Sequence, residues 1–138
     1  MYNKNETKKQ RGAVAVEFAI VLPLLLLLFA GITEFGLAYY NKQVLTNASR
    51  EGARAGIVNN TSNEQIREAA FNYASERLIT FGDNTFSTNN VTPEQNGDYL
   101  KVSVNFEYTY LILQGFNFFG ANFGQTLNIG ASTVMKME

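Results

Sequence analysis

Residues 13–32, AVAVEFAIVLPLLLLLFAGI, form an apolar run about as long as a helix needs to cross a hydrocarbon core of roughly 30 Å. Of the 138 residues, about 80–100 remain for a domain outside the bilayer, enough for one modest core. One carboxylate, Glu17, lies within the first turns of the run. A charge inside a membrane helix costs about 2.5–3.5 kcal/mol even on lenient insertion scales, so such a residue is rarely idle. The alternative for Glu17 is a position near enough to the cytoplasmic interface to stay hydrated.

The flanks set the orientation. Lys4, Lys8, Lys9 and Arg11 precede the run against a single Glu6, a net charge of +3 (four basic residues less one acidic). Basic residues beside a span stay in the cytoplasm, which puts the N-terminus inside and residues from about 40 onward outside. A cleaved secretory signal also starts basic and turns apolar, but its apolar part is usually 7–15 residues and ends at a small-residue site. Here the run is longer and no A-x-A site follows it.

Composition removes several function classes. The net charge of −1 gives no basic field for nucleic acid. The chain has neither cysteine nor histidine. Disulfides, imidazole or thiolate zinc sites, Ser-His-Asp triads and Cys-His dyads are therefore impossible within it. The carboxylates are scattered without a cleft-forming pair, and no glycine-rich phosphate loop occurs. No enzyme activity, cofactor or metal is expected.

The chain divides into a basic leader over 1–12 without fixed structure, a transmembrane helix over 13–40, and an extracytoplasmic α+β domain over 41–138. Residues 13–57 read as one long helix, about 65–70 Å from end to end and twice the bilayer thickness. Pro23 removes one backbone hydrogen bond and is expected to bend or locally melt it. Tyr39 and Tyr40 fall where an aromatic belt would meet the outer interface; equally, they start the soluble core.

Farther out, Ala48, Gly52 and Gly56 recur every four residues on one face. A strip without side chains lets another backbone come close, either the chain's own sheet or a neighbouring subunit. Arg50 and Arg54 share a face beside Glu51 and pair with it or with Glu138, or form a solvated charged face. Ser62 with Gln65, or Thr61 with Glu64, opens a second helix over about 63–80, whose apolar face includes Ile66, Ala70 and Leu78. A weak strand over about 84–91 is expected before a turn at Pro93–Asp98, where Asn96-Gly97 is a strong turn signal. Strict alternation over 100–110 and 126–137 gives two further strands. The fold class is α+β: a long membrane helix, a second helix and a roughly three-stranded antiparallel sheet. Between the last two strands, Phe116, Phe118, Phe119 and Phe123 stand among glycines. They either fold over an incomplete core or form a contact surface for a subunit or membrane.

Arg11-Gly12, then four residues, then Glu17-Phe18, with Pro23 in a leucine-rich span, resembles the TadE-like proteins of tight-adherence (Tad/Flp) pili. The string Ala48-Ser49-Arg50-Glu51-Gly52-Ala53-Arg54 is similar to that family's outer-helix pattern, with Ser49 where alanine is common. The ending Ala131–Glu138 looks like its closing strand. The resemblance implies a minor pilin or pseudopilin acting in pilus assembly or initiation, adhesion or secretion. It implies cutting between Gly12 and Ala13 by an aspartic prepilin peptidase, which leaves Glu17 as the fifth mature residue. It also implies that Glu17, with Phe18 beside it, sets subunit register by pairing with the Ala13 amine of a neighbour. Helix packing at Pro23, Ala48, Gly52 and Gly56 is expected from the residues themselves. The implied partners are the peptidase, a major pilin and other TadE-like pilins, the inner-membrane assembly platform and lipid. The implied location is a single-pass cytoplasmic-membrane protein, incorporated into an extracellular pilus. A signal-anchored envelope protein that never assembles is the alternative.

Overall fold

The computed structural model of the protein describes residues 4–58, 61–81, 84–115, 120, 124 and 126–137, with side chains from Gly12 onward. Its first element, α1, is a 53-residue helix, Lys4–Gly56. The leader expected to lack fixed structure is thus helical from Lys4. Its Lys, Glu and Gln are good helix formers, and the single Gly12 before the apolar run does not interrupt the helix. The helix also runs unbroken past Pro23. The proline's missing N–H leaves only the Ala19 carbonyl without its usual helical donor.

The second helix, α2 (Asn63–Ser75), opens on the Ser62–Gln65 pair: each residue's side chain bonds the other's backbone N–H. It ends five residues short of the expected Thr80. The cause lies in α1, where Asn41 is fully buried. Its side-chain amide donates to the Ile79 carbonyl at 2.7 Å, and its oxygen accepts from the Ile79 N–H at 3.0 Å. This two-point clamp draws the chain off the helical path. Replacing Asn41 with alanine strands two backbone groups and is expected to cost about 2 kcal/mol. Thermal unfolding of the detergent-solubilised chain reads this out.

Three strands follow: β1 (Val91–Asn96), β2 (Tyr99–Thr109) and β3 (Thr126–Lys136). They form one antiparallel sheet in the order β1-β2-β3. The expected first strand over 84–91 is irregular instead, and the span assigned to the turn carries the strand. Side chains hold 84–90 where a ladder was expected: Asn84 donates to the Glu107 carbonyl at 3.2 Å, and Ser87 with Asn90 closes a short 3-10 turn. Phe86 points inward between Phe71, stacked at 5.9 Å, and Phe106, edge-on at 6.2 Å. Pro93 pairs with Val102 from an edge strand, where a missing N–H is tolerated. The turn shrinks to Gly97-Asp98 between paired Asn96 and Tyr99, and Gly97 takes φ +59°.

The sheet lays one face on the helices. Leu100, Val102, Val104, Phe106 and Tyr108 of β2 are buried, and Ile129 joins them from β3. Tyr110 is only half-buried, and Leu127, which the alternation over 126–137 puts on the inward face, is exposed. Ser49 of α1 donates to the Thr46 carbonyl at 2.8 Å and shares a 2.7 Å hydrogen bond with the Thr133 hydroxyl of β3. Polar Ser49 is thereby satisfied inside the helix–sheet contact. Lys42 reaches round from the helix to donate to the Gly130 carbonyl at the sheet edge.

Candidate functional site

Two regimes divide α1 at Ala30. From Gly12 to Phe29 nothing among the described residues of the domain covers the helix, and every residue but the half-buried Leu27 is exposed. From Ala30 to Gly56 one stripe is buried: Ala30, Glu34, Ala38, Asn41, Leu45, Ala48, Gly52 and Gly56 recur at three- and four-residue steps. That spacing keeps a single helical face against the domain. The helix is long and apolar enough to cross a membrane, and it fits a single-pass anchor.

The positions singled out in the sequence fall on both sides of this division. Gly12 and Ala13 are exposed, and nothing lies within 4 Å of where a Gly12 Cβ would stand. Glu17, Phe18 and Pro23 are exposed as well, and Glu17 has no hydrogen-bond or ion-pair partner among the described residues. Between Glu17 and Glu34 the sequence has 16 residues without a charge. Thr33, the one polar side chain among them, donates to the Phe29 carbonyl at 2.9 Å. This span of about 24 Å therefore offers no unsatisfied side chain to its surroundings.

Ala48, Gly52 and Gly56 face the chain's own domain. A Cβ on Gly52 would stand 3.1 Å from Ala70 Cβ and 3.2 Å from Val102 Cγ1. On Gly56 it would overlap Leu100 Cδ2 and lie 2.7 Å from Ile66 Cδ1. Tyr39 and Tyr40 lie on the other side of the helix, exposed at 67% and 44%, outside the core. Arg50, Glu51 and Arg54 are exposed too, and among the described residues none forms an ion pair. Glu138, Phe116, Phe118, Phe119 and Phe123 lie outside the described residues.

The junction itself turns on a residue that sequence reasoning passed over. Glu34 is a carboxylate buried to 1% exposure, four residues into the packed stripe. Its Oε2 accepts from the Tyr108 hydroxyl at 2.7 Å. Its Oε1 accepts from the backbone N–H of Ile112 and, at 3.3 Å, of Leu113. Helix, sheet and the chain leaving β2 are joined at one side chain. Burial, reinforced by the bond to Glu34, pushes the Tyr108 hydroxyl well above the usual tyrosine range. It stays protonated and remains a donor. The signal available in sequence was position: stepping back from Gly56 and Gly52 along the small-residue face arrives at Asn41 and Glu34, the polar residues on a stripe otherwise fit for burial.

Residues 12–54 match the family model described as TadE-like protein. The likeness to the TadE-like family is thus shown over the uncovered part of α1 and most of its packed part. The match ends at Arg54, short of the closing strand to which the motif resemblance extended. The family suggests a Tad pilus-associated protein and is not known as enzymatic. No curated protein and no solved structure matches the chain.

Proposed function

With a TadE-like helix as premise, we propose that the chain is a minor pilin or pseudopilin of a Tad-type pilus. It is anchored by α1 and handed to the filament through the uncovered part of that helix. The observation that carries this reading is the exposed apolar segment Gly12–Phe29 within the matched region, with the domain held only from Ala30 onward. A helix apolar all round and uncovered needs lipid or other helices about it. The second helix and the sheet exceed what a bare filament rod requires, which favours a minor subunit that starts or caps the filament, with adhesion or secretion as its outlet.

In this reading a prepilin peptidase cuts after Gly12 at the cytoplasmic face. Gly12 and Ala13 are small and exposed, so an extended backbone can enter a narrow cleft. The basic leader is released, and the new amine of Ala13 stands four residues before Glu17. In the filament, Glu17 pairs with the Ala13 amine of a neighbouring subunit. A mispaired charge in lipid is strongly disfavoured, so this pairing sets axial register.

The test is the mass and N-terminal sequence of the protein recovered from membranes, with and without the peptidase. A mature chain starting at Ala13 only when the peptidase is present supports the proposal. An unprocessed chain that brings down no pilin points to a signal-anchored envelope protein. Glu17→Ala is expected to be cut normally yet reach the filament fraction poorly; normal incorporation removes the register role.

A further inference from the structure

Glu34 fixes not only which elements meet but at what height they meet. Gly12 to Tyr40 is 29 residues, about 43 Å of helix, close to the full thickness of a bilayer with its headgroups. With Tyr39 and Tyr40 at the outer interface, Glu34 stands five to six residues earlier in the helix, about 8 Å nearer the bilayer centre. The chain leaving β2 is bonded to Glu34 through the Ile112 and Leu113 N–H groups, so it is held at that same depth.

This lower end of the domain is chemically suited to lipid. The sequence carries no charged residue between Glu107 and Lys136. Leu111, next in sequence to the Glu34-bonded Ile112, is 50% exposed, and Leu127 is exposed at the cleft over Glu34. Phe35, Tyr110, Leu113 and Leu127 line a small apolar cleft over Glu34. Lipid cannot satisfy backbone groups, so irregular chain survives at membrane depth only where protein does so. Here Glu34 takes two N–H groups, and Gly115 N–H donates to the Ile112 carbonyl at 3.0 Å.

We propose that the foot of the domain, Leu111 and Leu127 together with Phe35, is seated in the outer leaflet at the boundary of headgroups and acyl chains. The occupant of this surface is the lipid already surrounding α1, because the exposed apolar face of the helix continues through Ile32 to Phe35, which lines the cleft together with Leu127. Glu34 is the positioning residue: shielded from lipid, it holds the foot at depth. The domain therefore rides partly immersed on its anchor, with one fixed side down.

The inference rests on the anchor reading of α1, and the experiment separates the two. The chain has no tryptophan, so single substitutions report cleanly. Full-length Leu111→Trp, Leu25→Trp and Gln95→Trp are each reconstituted in phosphatidylcholine vesicles with brominated acyl chains. Leu25 lies on the uncovered helix and Gln95 beside the hairpin turn at the opposite end of β2. The expected result is blue-shifted emission and strong loss of intensity for Leu25→Trp and Leu111→Trp, and neither for Gln95→Trp. Leu127→Trp repeats the measurement should Leu111→Trp misfold. Quenching at position 25 with emission at 111 and 127 like that at 95 overturns the immersed foot and leaves the anchor standing. No quenching at 25 overturns both, and equal quenching at all sites overturns the fixed-side arrangement.

Discussion

Replacing Glu34 with alanine is expected to remove about 3 kcal/mol of domain stability, lowering the unfolding midpoint by more than 10 °C on the scale of about 4–8 °C per kcal/mol for a domain this size. The carboxylate accepts from one hydroxyl and two backbone N–H groups. Hydrogen bonds to a charged acceptor contribute about 1.5–3 kcal/mol each, and the cost of burying Glu34 itself offsets part of the sum. Alanine leaves Tyr108, wholly buried, with no acceptor for its hydroxyl. Glu34→Gln keeps an oxygen for the two N–H groups and is expected to cost about 1 kcal/mol. Near-UV circular dichroism of the tyrosine band during a thermal scan in detergent measures both. Equal midpoints for wild type and Glu34→Ala would show that the junction is held by apolar packing alone.

Gly56→Val is expected to be nearly as damaging, at roughly 3 kcal/mol, the upper part of the range for overfilled cores. Two effects oppose each other. A side chain at a helical glycine gains up to about 1 kcal/mol of helix propensity. Against it, the first carbon alone would overlap Leu100 Cδ2 and press within 2.9 Å of Ile66 Cγ1. Leu100 and Ile66 are both buried to 2% exposure, and both must move to admit the new side chain. Two further methyl groups settle the balance. Because α2 and β2 are displaced together, a chemical-denaturation curve should show a lower midpoint with an unchanged slope. A stabilised Gly56→Val would mean that the strip keeps its distance from the sheet in solution.

Much of the fold was legible because period carries face. The alternation from Leu100 to Tyr108 placed those residues on the core side, and every one of them is buried. The long helix, the three-stranded sheet and the α+β class followed from the same kind of pattern. The misplaced first strand had a different origin. Residues 84–90 carry Thr85, Phe86 and Thr88, which suit a strand, among Asn84, Ser87, Asn89 and Asn90, which suit turns. The side chains of Asn84, Ser87 and Asn90 satisfy backbone groups here, and Asn84 finds its partners at Glu107 and Thr109, more than 20 positions away. The end of α2 was equally out of reach, since Asn41 sets it from 38 positions upstream. At the candidate site, the apolar run and the glutamate within its first turns were plain in the sequence. The second glutamate was marked only by its place on the small-residue face, since its partners lie 74–79 positions onward.

The packed stripe of α1 extends from Ala30 to Gly56, about 39 Å along the same rod that continues bare to Gly12. A rod gripped along so much of its length carries mechanical load well. Tension applied at its bare end is shared by the Glu34, Asn41 and Ser49 attachments at once, and these yield by sliding together, not one after another like a peeled strip. A subunit drawn out of a bilayer by its stem would arrive with its head still folded.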